Sequence, residues 1–309
     1  MRISRVVPCA FVALFALLAV SAARAENLNE WSNQRIIYLN TTSGGANVGG
    51  DVDNFPVLLR LSGGDYPTGV QTGGDDLRFT DAAGAQLAYE VERCDGSNAE
   101  IWVLVPKVKG NDRTMIRMFW GKTDANPKSN GSDVFQTSNG FVAVYHMNNN
   151  PENQTADIVD ATSNGYDATP YHMELADLVD GQIGKGINLD DDATDEYIQT
   201  PMNPLKTADN FTVSAWASSD KWESANEGIL LWEGDIAGNG GGPEHEVDWS
   251  VGWCRQYISN TFGFGWEGDG NNGENTNDFF IKNTSMSGSA MWYMVTKVTD
   301  VDGSSGTPS

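Results

Sequence analysis

The stretch PEHEVDWSVGWC, residues 243–254, alternates. Read as a strand, Val247, Trp249, Val251 and Trp253 point one way, and Glu244, Glu246 and Asp248 point the other. The same texture runs along the chain. RIIYLN, FPVLLRLS, DLRFTD, AEIWVLVP, TMIRMFWG, FVAVYHM, NFTVSAWA, GILLWEG, NTFGFGW and WYMVTKVT are short apolar stretches bounded by Gly, Asn, Asp and Pro. No segment sustains a 3.6-residue apolar stripe with caps. The 34 glycines suit many tight turns. The pattern predicts an all-β chain built as sandwiches or jelly rolls.

The first 25 residues stand apart. Arg2 and Arg5 precede an apolar run from Val6 to Val20, and small residues follow to Ala25. That order is expected of a secretory signal cleaved after Ala25, which makes the mature chain periplasmic, surface-bound or extracellular. The run is too short for a membrane-spanning helix. Cleavage leaves 16 basic residues against 42 acidic ones, a net of about −26. Nucleic-acid and anionic-membrane partners need clustered Lys and Arg, so the charge argues against both. Cys94 and Cys254 remain after cleavage, and the sequence leaves open a disulfide or two separate thiols. The three histidines form no metal-binding motif, and no nucleophile elbow or phosphate loop occurs.

The polar stretch 122–140, rich in Asn, Ser and Gly, suggests a boundary between a β-sandwich at 26–135 and a second domain at 140–309. The first half reads WSNQRIIYLN (31–40), NFPVLLRL (54–61), GGDDLRFTDAAGAQLAYEVER (73–93), IWVLVPKV (101–108) and MIRMFWGKTDA (115–125). This order resembles a bacterial domain family of unknown function found in exported, multidomain envelope proteins. The second half reads VYHMN (144–148), VDATSNGYDAT (159–169), GQIGKGINLDD (181–191), DEYIQTP (195–201), NFTVSAWA (210–217) and WYMVTKV (292–298). It is similar to concanavalin A-like, laminin G-like jelly rolls. The resemblance implies envelope or adhesin-like proteins, some fused to proton-channel subunits of the MotA/TolQ/ExbB type. Laminin G-like domains continue with further strands after the one matching WYMVTKV, so the second domain is expected to be truncated at its C-terminal side.

Three groups of residues are candidates for chemistry. Retaining glycosidases need two carboxyls about 5–5.5 Å apart. The laminarinase-like branch of the concanavalin-type fold supplies them from one strand as E-x-D-x-E. Glu244, Glu246 and Asp248 have that spacing in a different order, E-x-E-x-D, so a glycoside hydrolase is the alternative to an acidic face turned to ligand or solvent. Asp157, Asp160 and Asn164 offer hard oxygen ligands for calcium, against a plain polar turn. Trp222, Trp232 and Trp266 are candidate platforms for sugar rings, against simple burial in the core. DDLRFTDAAG (75–84) reads as a strand and turn, returning through Tyr89 and Val91 as a hairpin with Arg78 paired to Glu90 or Glu92. The acidic run LDDDATDE (189–196) reads as a solvated turn.

The expectation is a non-catalytic module of the cell envelope that binds a glycan or a protein surface through the second domain. The alternatives are the hydrolase and a periplasmic part of a TolQ/ExbB-type transport assembly.

Overall fold

The computed structural model describes residues 26–152, 154–155, 157–189, 196–201 and 211–218, with the backbone of strands at 228–234, 247–253, 261–266, 279–282 and 292–299. Every strand pairing is antiparallel, and the one α-helix among these residues has four residues, Gly131–Val134 (α1). The chain is all-β.

Six strands form the first layer pair. β1 (Asn33–Asn40), β6 (Arg113–Trp120) and β3 (Arg78–Asp81) make one sheet in that order. β2 (Val52–Ser62), β5 (Asn98–Val108) and β4 (Tyr89–Cys94) make the other. Their facing sides supply one core. Phe79 lies opposite Met118, Ile37 opposite Ile116, Leu59 opposite Ile101, and Tyr89 opposite Val103. Phe79, Ile101, Val103, Ile116 and Met118 are fully buried. Each such side chain stabilises the sandwich by about 1.5–3 kcal/mol relative to exposure.

The strand at 78–81 returns as a hairpin only briefly. After the turn at 81–85 the Asp81 N–H donates to the Ala85 carbonyl and the Leu87 N–H to the Phe79 carbonyl, around a bridge from Thr80 to Gln86, and the chain then crosses to the other sheet as β4. Asp81 shapes that turn by accepting the N–H groups of Ala83 and Ala85, and Gly84 supplies the positive φ of 91°. Arg78 pairs with Glu26 rather than with Glu90 or Glu92. Its Nε and Nη2 donate to the two Glu26 oxygens at 2.6 and 2.9 Å, and Nη1 donates to the Tyr89 hydroxyl at 3.2 Å. The cause is the crossing itself: β3 and β4 lie in different sheets, so Arg78 turns away from the β4 carboxylates.

β5 is buried on both faces. Ala99, Ile101, Val103 and Val105 face the sandwich core, while Glu100 and Leu104 are buried on the outer face. Residues 131–187 provide the cover. Val134, Phe135 and Ala161 pack with Leu104, and Trp102, Phe141 and Val144 join them. FVAVYHM, expected as a strand, runs over this face with only a Tyr145–Asp160 bridge. Short pairs follow: β7 (Thr169–Tyr171) with β10 (Tyr197–Gln199), and β8 (Leu178–Asp180) with β9 (Lys185–Ile187).

Further on, β11 (Phe211–Ser218) pairs with β16 (Trp292–Thr299). β12 (Gly228–Gly234), β13 (Val247–Trp253), β14 (Thr261–Trp266) and β15 (Phe279–Lys282) form a four-stranded sheet in sequence order. Among the described residues no helix is long and apolar enough to cross a membrane.

Candidate functional site

Two places concentrate chemistry-bearing residues: the covered face of β4–β5, and the sheet β12–β15.

The first starts from a β-bulge. Val91 pairs with Ile101 and Arg93 with Glu100, leaving Glu92 as the extra residue. A bulge lets consecutive residues share a side. Glu90, Glu92 and Arg93 therefore all serve the outer face, while Cys94 returns to the core as a buried free thiol. His146 descends onto this face from the covering segment. Its Nε2 lies 2.9 Å from Glu90 Oε2, and its Nδ1 lies 3.3 Å from Glu92 Oε2. Trp102 Nε1–H donates to the same Glu92 oxygen at 2.6 Å. Phe135 packs on both rings, with centroids 5.6 Å from Trp102 and 5.6 Å from His146.

Burial by itself would lower the His146 pKa. Hydrogen bonds and charge from Glu90, then Glu92, overcome it and raise the pKa to about 9. At neutral pH the ring is an imidazolium with both N–H groups directed at carboxylates. A second knot adjoins it. The buried Glu100 holds Arg60 at 3.2 Å and Arg93 at 3.1 Å, and accepts the Gly184 N–H at 2.6 Å. These groups neutralise one another's charge, although the buried Arg93 Nε has no hydrogen-bond partner among the described residues. They act chemically as a lock fastening residues 141–187 to the first sandwich.

Asp160, Asp157 and Asn164 are placed by the same segment. Asp160 is buried. Its Oδ1 accepts the N–H of Val144 at 3.0 Å and of Thr162 at 2.9 Å; its Oδ2 accepts the Thr162 hydroxyl at 2.7 Å and the Tyr166 N–H at 3.0 Å. Burial works against its charge, but these donors hold the carboxyl below the usual range. Four hydrogen bonds use about all the lone pairs a carboxylate has. Asp157 is bonded to the Thr155 hydroxyl, and the Asn164 amide donates to the Val142 carbonyl at 2.8 Å. Among the described residues no group of three or more His, Cys, Asp or Glu is positioned to hold a metal ion.

The second place is read from backbone register. Trp249 pairs with Trp266 and Glu233, Val251 with Phe264 and Leu231, and Trp253 with Phe262; Phe264 and Phe262 pair in turn with Phe279 and Ile281. Directly paired residues share a face. One face of β12–β15 is thus a nearly unbroken apolar set. The other carries Ser250 paired with Trp232 and Gly265, and Gly252 paired with Ile229 and with Gly263, which pairs in turn with Phe280. Trp232 and Trp266 fall on opposite faces, and Asp248 is the residue left over at the register shift between Glu233 and Gly234. Glu244, Glu246, Trp222 and Cys254 lie outside the described residues, as does 190–195 of the acidic run.

The His146 lock gave no sequence signal. Its partners are 54 and 56 residues away; alternation along β4 puts Glu90 and Glu92 on one face, but nothing local announces the histidine that meets them.

No curated protein and no solved structure matches the chain. A family described as a domain of unknown function, DUF2341, is found at residues 73–167, a span that takes in β3 to β6 and also the covering residues that deliver His146 and Asp160.

Proposed function

We propose that the protein is an exported, non-catalytic binding module of the cell envelope, and that its second half is a concanavalin A-like, laminin G-like jelly roll that holds a glycan chain. The observation that carries this reading is the two-faced register of β12–β15. Its glycine-rich face carries Ser250 and Gly252 on one strand and Gly263 and Gly265 on the next, with Trp232 paired to Ser250, Ile229 to Gly252 and Phe280 to Gly263, and with Asp248 at the bulge beyond Ser250. Glycine inside a strand weakens it and recurs where a ligand or another backbone approaches closely. Three glycines at paired positions of two central strands support a ligand lying flat on the sheet. A tryptophan supplies the stacking surface for a sugar ring, and a carboxylate supplies an acceptor for hydroxyl groups. The opposite face has the composition of a core.

The test is a glycan-array screen of the chain, with and without calcium, with reducing-sugar release followed in the same wells. The reading expects binding without release. Release would transfer the function to the hydrolase alternative, with Asp248 and Glu246 as its carboxylates. No binding by a folded protein would count against the glycan reading.

A further inference from the structure

The sheet β1–β6–β3 has an open edge at β1. The backbone of Gln34–Leu39 is hydrogen-bonded to β6, and no other described residue bonds to it. Natural sheets guard such edges with proline, bulges or charges. β2, the edge of the facing sheet, carries Pro56 and a left-handed residue, Asn54, at φ 49°. β1 has no such guard. Its ladder to β6 is unbroken over eight residues, it holds neither Pro nor Gly, and its one charge is Arg35.

The outer face of this edge is apolar and basic. Ile36 and Tyr38 are 50% and 58% exposed. The register sets Tyr38 opposite Met115, Ile36 opposite Arg117, and Asn40 opposite Arg113. In a chain with more than twice as many acids as bases, most cations are paired. Among the described residues Arg35, Arg60, Arg78, Arg93, Lys107, Lys109, Lys122 and Lys185 each meet a carboxylate. Arg113 and Arg117 have no carboxylate partner there; the Arg117 side chain reaches only the Ala82 carbonyl, at 3.3 Å.

We infer that β1 is a docking edge for an extended acidic peptide segment of a partner protein, which adds as a further strand to the sheet. Main-chain hydrogen bonds would come from β1 and side-chain selection from the face. A new strand lies about 4.8 Å from β1 and about 10 Å from β6, within the combined reach of Arg and Glu side chains. The residue opposite Ile36 comes into line with Arg117, and the residue opposite Tyr38 meets Tyr38 and Met115. At Asn40 the edge closes, because its outward carbonyl accepts the Ala46 N–H, so the added strand ends beside Tyr38 and Arg113 stands past its end. The segment selected sets an acid two residues from an apolar residue, on either side according to strand direction. The occupant is acidic because Arg117 and Arg113, which have no carboxylate partner among the described residues, are cationic, and it is a peptide because Ile36 and Met115 offer aliphatic packing beside an open ladder.

The test titrates the full chain with a ten-residue peptide carrying two glutamates four apart and a valine midway, on a threonine background, by fluorescence anisotropy. Two control peptides replace the glutamates with lysine, or N-methylate the amides that would face β1. Saturable binding is expected, with at least a tenfold loss for each control. Arg113→Glu with Arg117→Glu should weaken binding at least tenfold, and Ile36→Lys should do the same, with unchanged circular dichroism. The wild-type controls keep the test valid should a variant fail to fold. Absence of binding at millimolar peptide overturns the proposal, as does equal binding of either control. Displacement of a still-bound N-methylated peptide by a polyuronate would reassign the face to an anionic glycan. A dimer in light scattering that Ile36→Lys dissociates would show a second copy on the edge, and also overturns it.

Discussion

His146 Nε2 sits 2.9 Å from Glu90 Oε2, which ties the segment after the polar stretch 122–140 to strand β4. The bond has a pH signature. The folded pKa of about 9 exceeds the ordinary histidine value of 6.5. A group raised on folding stabilises fully below its unfolded pKa and loses that contribution as pH rises through its folded one. The melting temperature should therefore fall by about 5 °C or more between pH 6.5 and 9.5. His146→Gln should melt lower at pH 6.5 and lose most of that slope. A wild-type melting point flat over this window would contradict the assignment.

Gly184 tests the same seam from the other side. Its φ is 56°, and a Cβ there would meet Glu92 Oε1 at 2.9 Å. Its N–H also serves Glu100. Gly184→Val should cost about 2–3 kcal/mol from backbone strain and crowding together. Hydrogen exchange should show the loss first at 178–187, ahead of β5.

Much of this fold is legible in the sequence, and the illegible parts share one cause. TMIRMFWG alternates against a single core, so period and burial agree, whereas AEIWVLVP is legible as an apolar run but is buried on both faces. FVAVYHM has the same composition but lacks a neighbouring strand to pair with. The Val144 N–H bonds instead to the Asp160 carboxylate, which no local pattern announces. DLRFTD and AYEVER look like one hairpin because their turn is well formed, yet each strand finds a better partner, β6 or β5, in different sheets. Arg78 consequently meets Glu26, 52 residues earlier, instead of Glu90. Pairing at that range depends on which strands share a sheet, and the sequence patterns report only which residues form strands. In the later sheet the opposite holds. The alternation of VDWSVGW already separates Ser250 from Trp249 and Val251, and register adds that Trp232 and Trp266 part company and that Asp248 falls at a bulge.

The Arg78–Glu26 pair is a second measurable latch. Arg78 is buried, its guanidinium lies 5.2 Å from the Trp31 ring centre, and it holds the Glu26 carboxyl below the ordinary carboxylate range. Removing one partner of a buried pair leaves the other charge stranded. Glu26→Gln should lower stability by about 2 kcal/mol in urea melts at pH 7. For a carboxyl depressed on folding, stability is present above the unfolded pKa of 4.5 and is lost as pH falls through the folded value. The gap between wild type and variant should therefore narrow in acid.

Cys94 offers a probe of opening. It is buried, its Sγ lies 3.5 Å from the Tyr66 hydroxyl, and burial raises the thiol pKa. Alkylation at pH 8, read by mass spectrometry of the peptide that holds it, should be slow in the native protein. It should become fast at denaturant concentrations that unfold the first sandwich. Rapid labelling of Cys94 without denaturant would contradict the burial.

The most direct test of the central claim is titration of the best array glycan into wild type, Trp232→Ala and Trp266→Ala, with melting followed in parallel. The two tryptophans stand on opposite faces of β12–β15. Trp232→Ala should weaken binding about tenfold or more with little change in melting, since a stacked ring is worth on the order of 1–2 kcal/mol. Trp266→Ala should lower the melting point and leave the affinity of the folded fraction near that of wild type. Undiminished binding in Trp232→Ala would contradict the claim that the glycine face of this sheet holds the ligand.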